Sequence, residues 1–88
     1  MNERKLEKYL KALANRRRLA MLSYLKRTTA ANVGCVAREM RLSFRATSRH
    51  LLILERANIL DKTQRNTKIF YRISRKLEDF VRVVISRI

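Results

Sequence analysis

Apolar side chains along this chain return at steps of three and four over most of its length, and at steps of two over one short stretch. From Glu3 to Leu13, the residues Leu6, Tyr9, Leu10 and Leu13 fall on one face of a helix, the pattern of a surface helix turned to a core. Asn15 follows as a candidate N-cap, its side-chain oxygen placed to accept from an orphan amide of the next helix, "RRRLAMLSYLKR". There Leu19, Leu22 and Leu25 repeat the spacing. A short third helix is expected over "VGCVAREM", capped by Asn32, with Val33, Val36, Ala37 and Met40 inward and Gly34 weakening it slightly.

Ser43 stands where a cap is wanted for a fourth helix running from Phe44 to about Ala57, and Asn58 where a left-handed residue would close it. Thr47, Leu51, Leu54 and Ala57 make the core-facing stripe of that helix, so Arg45, Ser48, Arg49 and Leu52 project elsewhere. Two helices joined by a short turn describe a helix-turn-helix. The period then changes: "ILDKT" and "KIFYRIS" are β-prone runs flanking "QRNT", where Asn66 can take the positive angle of a tight turn. This predicts a two-stranded ribbon. Ser74 is read as the cap of a last helix, "RKLEDFVRVVISRI", whose Leu77, Phe80, Val81, Val84, Ile85 and Ile88 form one broad apolar stripe. The order of elements is that of a mainly α winged helix-turn-helix, a single domain over residues 1–88 with no internal repeat or linker.

Composition narrows the partners. A chain of 88 residues, 47% hydrophobic and 33% charged, with no proline and one glycine, suits a small helix-rich domain and excludes collagen-like or low-complexity chains. Its 22 lysines and arginines against 7 acids give a net charge of +15, spread along the chain. Such a surface repels itself unless a polyanion covers it, which points to nucleic acid. Cys35 is the single cysteine, so there is neither an internal disulfide nor a CxxC metal spacing. No apolar run approaches the ~18 residues that span a bilayer, and "MNERKLEKYL" is charged where a signal peptide places its apolar region. The expectation is a cytoplasmic protein without a membrane partner.

The segment "LSFRATSRHLLILERANIL" carries its cations at one end and aliphatic residues at the other. Its amino-terminal turn suits the major groove of double-stranded DNA, where arginine pairs with guanine and serine reaches base edges or phosphate. Arg45, Ser48 and Arg49 are the candidate readers. Phe44 either stacks on a sugar or thymine methyl or simply covers the turn, and His50 is read as a packing or phosphate-bonding residue. Lys62, Arg65 and Lys68 lie on or beside the hairpin, where they would meet phosphates or the minor groove. Arg16, Arg17 and Arg18 put cations in the first turn of a helix, against its macrodipole, so they call for a compensating partner that the sequence does not name. The apolar stripes of the first and last helices need covering, and a homodimer interface built from Leu6, Tyr9, Leu10, Leu77, Phe80, Val81, Val84, Ile85 and Ile88 would cover them. One histidine, one cysteine and scattered acids argue against an enzyme, a metal site or a cofactor.

Three stretches resemble one family. "KALANRRRLAMLSYLKR", "LSFRATSRHLLILERANIL" and "NTKIFYRIS" are similar to the opening helices, recognition segment and wing strand of ArsR/SmtB-type winged-helix repressors. The resemblance covers nearly the whole chain. It implies DNA contact through Phe44, Arg45, Ser48 and Arg49, and a dimer formed by the first and last helices. It also marks departures. Where the metal sensors of the family have a Cys-Val-Cys element, this chain has Asn32, Val33 and Gly34, and its last helix has no histidine, only the adjacent Glu78 and Asp79. Metal sensing through the known family sites is therefore not expected. Both family glycines, at the end of the recognition helix and in the wing turn, are asparagine here, Asn58 and Asn66. The function expected is a sequence-specific DNA-binding regulator, a repressor acting as a homodimer. Its rivals are a non-specific nucleoid protein and a winged-helix module that binds RNA or an acidic protein.

Overall fold

The computed structural model describes all residues from Met1 to Ile88. Helix α1 (Glu3–Leu13) and helix α2 (Arg16–Thr28) come first, then a two-residue strand β1 (Ala31–Asn32), helix α3 (Val33–Met40) and helix α4 (Phe44–Arg56). Strands β2 (Leu60–Arg65) and β3 (Lys68–Ile73) follow, and helix α5 (Asp79–Ser86) ends the order. The caps fall where the side chains can reach back. Asn2 Oδ1 accepts from the Lys5 amide, Asn15 Oδ1 from Arg17 and Arg18, Asn32 Oδ1 from Cys35, and Ser43 Oγ from Ala46.

The helix-turn-helix is α3, the turn Arg41–Ser43 and α4. Both of its helices end in the same motif. Asn58, at φ 62°, lets its own amide reach the Glu55 carbonyl while the Ile59 amide reaches Leu54. Arg41, at φ 55°, does the same for α3, with the Leu42 amide bonded to the Ala37 carbonyl. An arginine in the left-handed region is unusual, since its Cβ crowds the backbone there. Asn66, at φ 56°, opens the two-residue turn of the hairpin.

Three features depart from the expectations. The sheet has three strands in the order β1-β3-β2, all antiparallel, because Ala31 and Asn32 pair with Tyr71 and Phe70. The wing is thus stitched to the base of the helix-turn-helix rather than standing as a free ribbon. Its strands also run closer to the tip than expected, with Arg65 opposite Lys68 as the last pair. The last helix begins at Asp79 and not after Ser74. Ser74 Oγ accepts from the Lys76 amide in a local turn, and Arg82 donates to the Leu77 carbonyl and to Asp79. Starting at Asp79 places an acid in the first turn, where Arg75 and Lys76 would have opposed the helix dipole.

The core is one cluster centred on Met21, Leu22, Leu25, Val36, Leu51, Leu54, Ile59, Leu60 and Val81, all with essentially no exposed surface. Tyr9 meets Phe80 edge to face, with centroids 5.6 Å apart and planes at 88°, which seats α1 against α5. Lys26 donates to the main-chain oxygens of Ile85 and Ile88 at 3.1 and 2.7 Å, tying α2 to the end of α5. Thr47 is fully buried and its hydroxyl has no partner.

Candidate nucleic-acid interface

Helix α4 presents two sides. Thr47, Leu51 and Leu54 are locked into the core, which fixes the rotation of the helix and so the direction of its other residues. Phe44, Arg45, Ser48, Arg49 and Leu52 line an open concavity of about 440 Å³ along the outer side. Neither Arg45 nor Arg49 has an acid within 4 Å or a hydrogen bond to its own chain. Phe44 is 63% exposed, so most of its ring faces solvent. Phe44 and Ser48 also border a groove of about 400 Å³ that runs to Lys68, Ile69 and Tyr71 on β3, with Arg38 at its edge.

The three hairpin cations separate. Arg65 and Lys68 form the terminal pair of the wing on its outer side, with no acid near either. The Arg65 guanidinium lies over the Phe70 ring, 5.4 Å from its centroid. Lys62 sits nearer the base of the hairpin opposite Tyr71, with its ammonium 3.9 Å from Glu55 of α4. Phe70 was not singled out in the sequence. Its only signal there was alternation, which places it on the side of the strand away from Tyr71.

Arg18 finds the partner that its position called for. Its guanidinium donates to the carbonyls of Ala12 at 2.6 Å and Lys11 at 2.9 Å, which are carbonyls at the end of α1, and to His50 Nδ1 at 3.1 Å. Because arginine is only a donor, this fixes the His50 ring as the Nε2–H tautomer. Burial lowers the His50 pKa, and the charges of Arg18, Arg17 and Arg49 lower it further. The imidazole is therefore neutral near pH 7, half-buried and bonded to Arg18 on one side.

The acids are few, and nearly all are engaged. Six of the seven are within 4 Å of a cation, in the pairs Lys5–Glu78, Lys11–Glu7, Arg27–Glu39, Lys62–Glu55, Arg72–Asp61 and Arg82–Asp79. These exposed pairs contribute little stability individually. Their consequence is spatial: Arg41, Arg45, Arg49, Arg65 and Lys68 have no neutralising neighbour.

The residues proposed for an interface between two copies divide in the same way. Tyr9, Val81 and Ile85 are buried inside the protomer and have little area left for a partner, because α1, α2 and α5 pack on one another. Leu6, Leu10 and Ile88 remain exposed, Leu77, Phe80 and Val84 half-buried, and Val83, 54% exposed, joins them unforeseen. Leu6, Leu10 and Ala14 line a shallow groove on α1 between charged flanks. No group of three or more His, Cys, Asp or Glu side chains comes together, and no helix is long and apolar enough to cross a membrane.

This architecture, a three-helix core with α3–turn–α4 and a hairpin closing on it, is a winged helix-turn-helix. Among solved structures it is similar to reduced HlyU from Vibrio cholerae, at 31% identity and TM-score 0.81, covering 98% of this chain and 86% of that one. It is similar also to the antimony-specific transcriptional repressor AntR, at 28% identity and TM-score 0.75, covering 89% of this chain and 68% of that one. The same fold, at 24% identity and TM-score 0.80, is that of a homodimeric winged helix-turn-helix DNA-binding domain from Mycobacterium bovis, a possible ArsR-family transcriptional regulator. That match covers 94% of this chain and 73% of the other. No family profile and no curated protein sequence matches the chain. The chain belongs to the ArsR/SmtB-type winged-helix transcriptional regulators.

Proposed function

We propose that the chain is a homodimeric, sequence-specific binder of double-stranded DNA that represses transcription by occupying promoters in the cytoplasm. One observation carries the reading. The first turns of α4 expose Phe44, Arg45 and Arg49, with Ser48 half-buried between them, and none of the four side chains has an acid pair or a hydrogen bond within the chain, while the opposite side of the helix is fixed in the core. A side chain that costs no intramolecular partner to redirect is available for base edges. Arg45 and Arg49 supply guanidinium forks, Ser48 a hydroxyl, and Phe44 an apolar surface for a sugar or thymine methyl. Arg65 and Lys68 add contacts at the wing that position without specifying, and Lys62 a weaker one from the hairpin base.

The dimer reading is supported by the apolar residues left on α1 and on and beside α5, the exposed Leu6, Leu10 and Ile88 and the half-buried Leu77, Phe80 and Val84, with Tyr9, Val81 and Ile85 beneath them. The Mycobacterium bovis domain is homodimeric and AntR is a repressor, which supports both parts of the proposal by likeness. Two-fold symmetry would set two copies of α4 about 34 to 36 Å apart, one turn of duplex. The decisive experiment is competition: a site selected from random duplex should be preferred over bulk sequence by about 10³-fold or more. A ratio near one would make the chain a packaging protein.

A further inference from the structure

Arg16 and Arg17 belong neither to the helix-turn-helix nor to the wing, and the fold gives them nothing to do internally. Each lies exposed in the first turn of α2, a turn without an acid, and neither side chain forms an ion pair or a hydrogen bond. Two cations at the positive end of a helix oppose its dipole. The amides of that turn are not the attraction, since Asn15 already accepts from two of them. What the turn offers is a pair of free guanidinium groups.

Their surroundings make a groove. Arg16, Arg17, Ala20, Met40 and His50 border an open hollow of about 730 Å³ between α2, the end of α3 and the middle of α4. Glu39 also borders it, and that carboxylate is engaged by Arg27 at 3.9 Å. His50 connects the hollow to the outer side of α4, because Arg49 is its neighbour in the chain and Arg45 lies one turn earlier. Burial first, and then the charges of Arg18, Arg17 and Arg49, lower the His50 pKa, so Arg17 and Arg49 both act at the ring that borders the hollow. Arg41, exposed in the turn between α3 and α4, extends the same band of unpaired charge.

We propose that the groove bordered by Arg16, Arg17 and His50 is a third DNA contact, which seats the sugar-phosphate backbone beside the major groove entered by α4. The occupant is a duplex phosphate because a phosphate on this side would be continuous with the charge of Arg45 and Arg49. The contact is electrostatic and carries no sequence information. It rests on the reading of α4 as a DNA reader and lengthens the footprint of each protomer beyond the helix-turn-helix and wing.

The test uses the full chain and its selected duplex. A double variant, Arg16→Gln with Arg17→Gln, should lower the slope of log K against log salt by about 1.8 units if each residue meets one phosphate. Specific and random duplexes should weaken by the same factor, with no loss of thermal stability. A slope equal to that of the wild type overturns the groove contact while leaving the α4 reading intact. Absence of any duplex binding by the wild type overturns both. Second, the His50 ring should titrate at higher pH in the complex than in the free protein when followed by NMR, because a phosphate offsets the surrounding arginines. An unchanged titration would leave the groove empty in the complex and refute the contact.

Discussion

Arg18 and His50 are 32 residues apart in sequence and 3.1 Å apart in space, and their bond holds α4 to α2 while the same guanidinium closes the end of α1. The orientation of the reading helix is therefore set by a polar junction as well as by the core. Lysine does not replace this fork, since its one nitrogen lacks the reach of three nitrogens spread over a plane, each meeting a different acceptor. Arg18→Lys should cost about 1 to 3 kcal/mol in urea unfolding. A loss below a few tenths would show that the junction is incidental.

The same junction makes stability depend on pH in a stated direction. His50 has a lowered pKa in the fold, so between about pH 6.5 and its folded value the unfolded chain binds the extra proton. Its contribution is whole above about pH 6.5 and is lost as the pH falls through that window. His50→Asn keeps an acceptor for Arg18 without a titrating ring. Melting curves from pH 7.5 to 5 should show the wild type losing more stability than this variant, and parallel curves would remove His50 as the cause.

Arg41 pays for the helix-turn-helix with a left-handed backbone. Glycine has no Cβ to crowd that conformation, so Arg41→Gly should stabilise the fold by about 0.5 to 1 kcal/mol. The same change removes an exposed cation and should weaken duplex binding modestly. Differential scanning calorimetry and a binding titration separate the two effects; a lowered Tm would mean that Arg41 makes contacts beyond its backbone role.

Local chemistry explains why so much of this fold was legible. Asn15, Asn32, Ser43, Asn58 and Asn66 each act within a few residues of themselves, so their cap or turn roles could be read directly from position. The stripe Thr47, Leu51, Leu54 and Ala57 was equally plain, and its burial turns Arg45, Ser48 and Arg49 away from the core. What escaped depends on distant partners. Strand β1 exists only because Ala31 and Asn32 meet Tyr71 and Phe70. Ser74 has the chemistry of a cap, yet it accepts from Lys76 in a local turn, and the Leu77 carbonyl is taken by Arg82 from further along the chain. The Lys62–Glu55 pair joins β2 to α4 and was not legible, because its partner lies on another element. The periodicity of α1 and α5 marked apolar residues without saying which would be buried by their own chain, and Tyr9, Val81 and Ile85 are.

That last distinction directs the test of the dimer. Leu10 is 50% exposed, so Leu10→Asp should leave the monomer folded and shift sedimentation from dimer to monomer at micromolar concentration. Val81→Asp, in contrast, buries a charge and should unfold the chain. A folded Leu10→Asp protein that remains dimeric would move the interface away from α1.

The central claim is that α4 reads base sequence, and Arg49 tests it most directly. Affinities of wild type and Arg49→Ala should be measured in parallel on the selected site and on a random duplex at one salt concentration. The account predicts a loss of roughly 1 to 3 kcal/mol on the selected site, a smaller one on random duplex, and relaxed preference at one base position in each half-site. Equal losses on both duplexes would contradict it and reduce Arg49 to a phosphate contact.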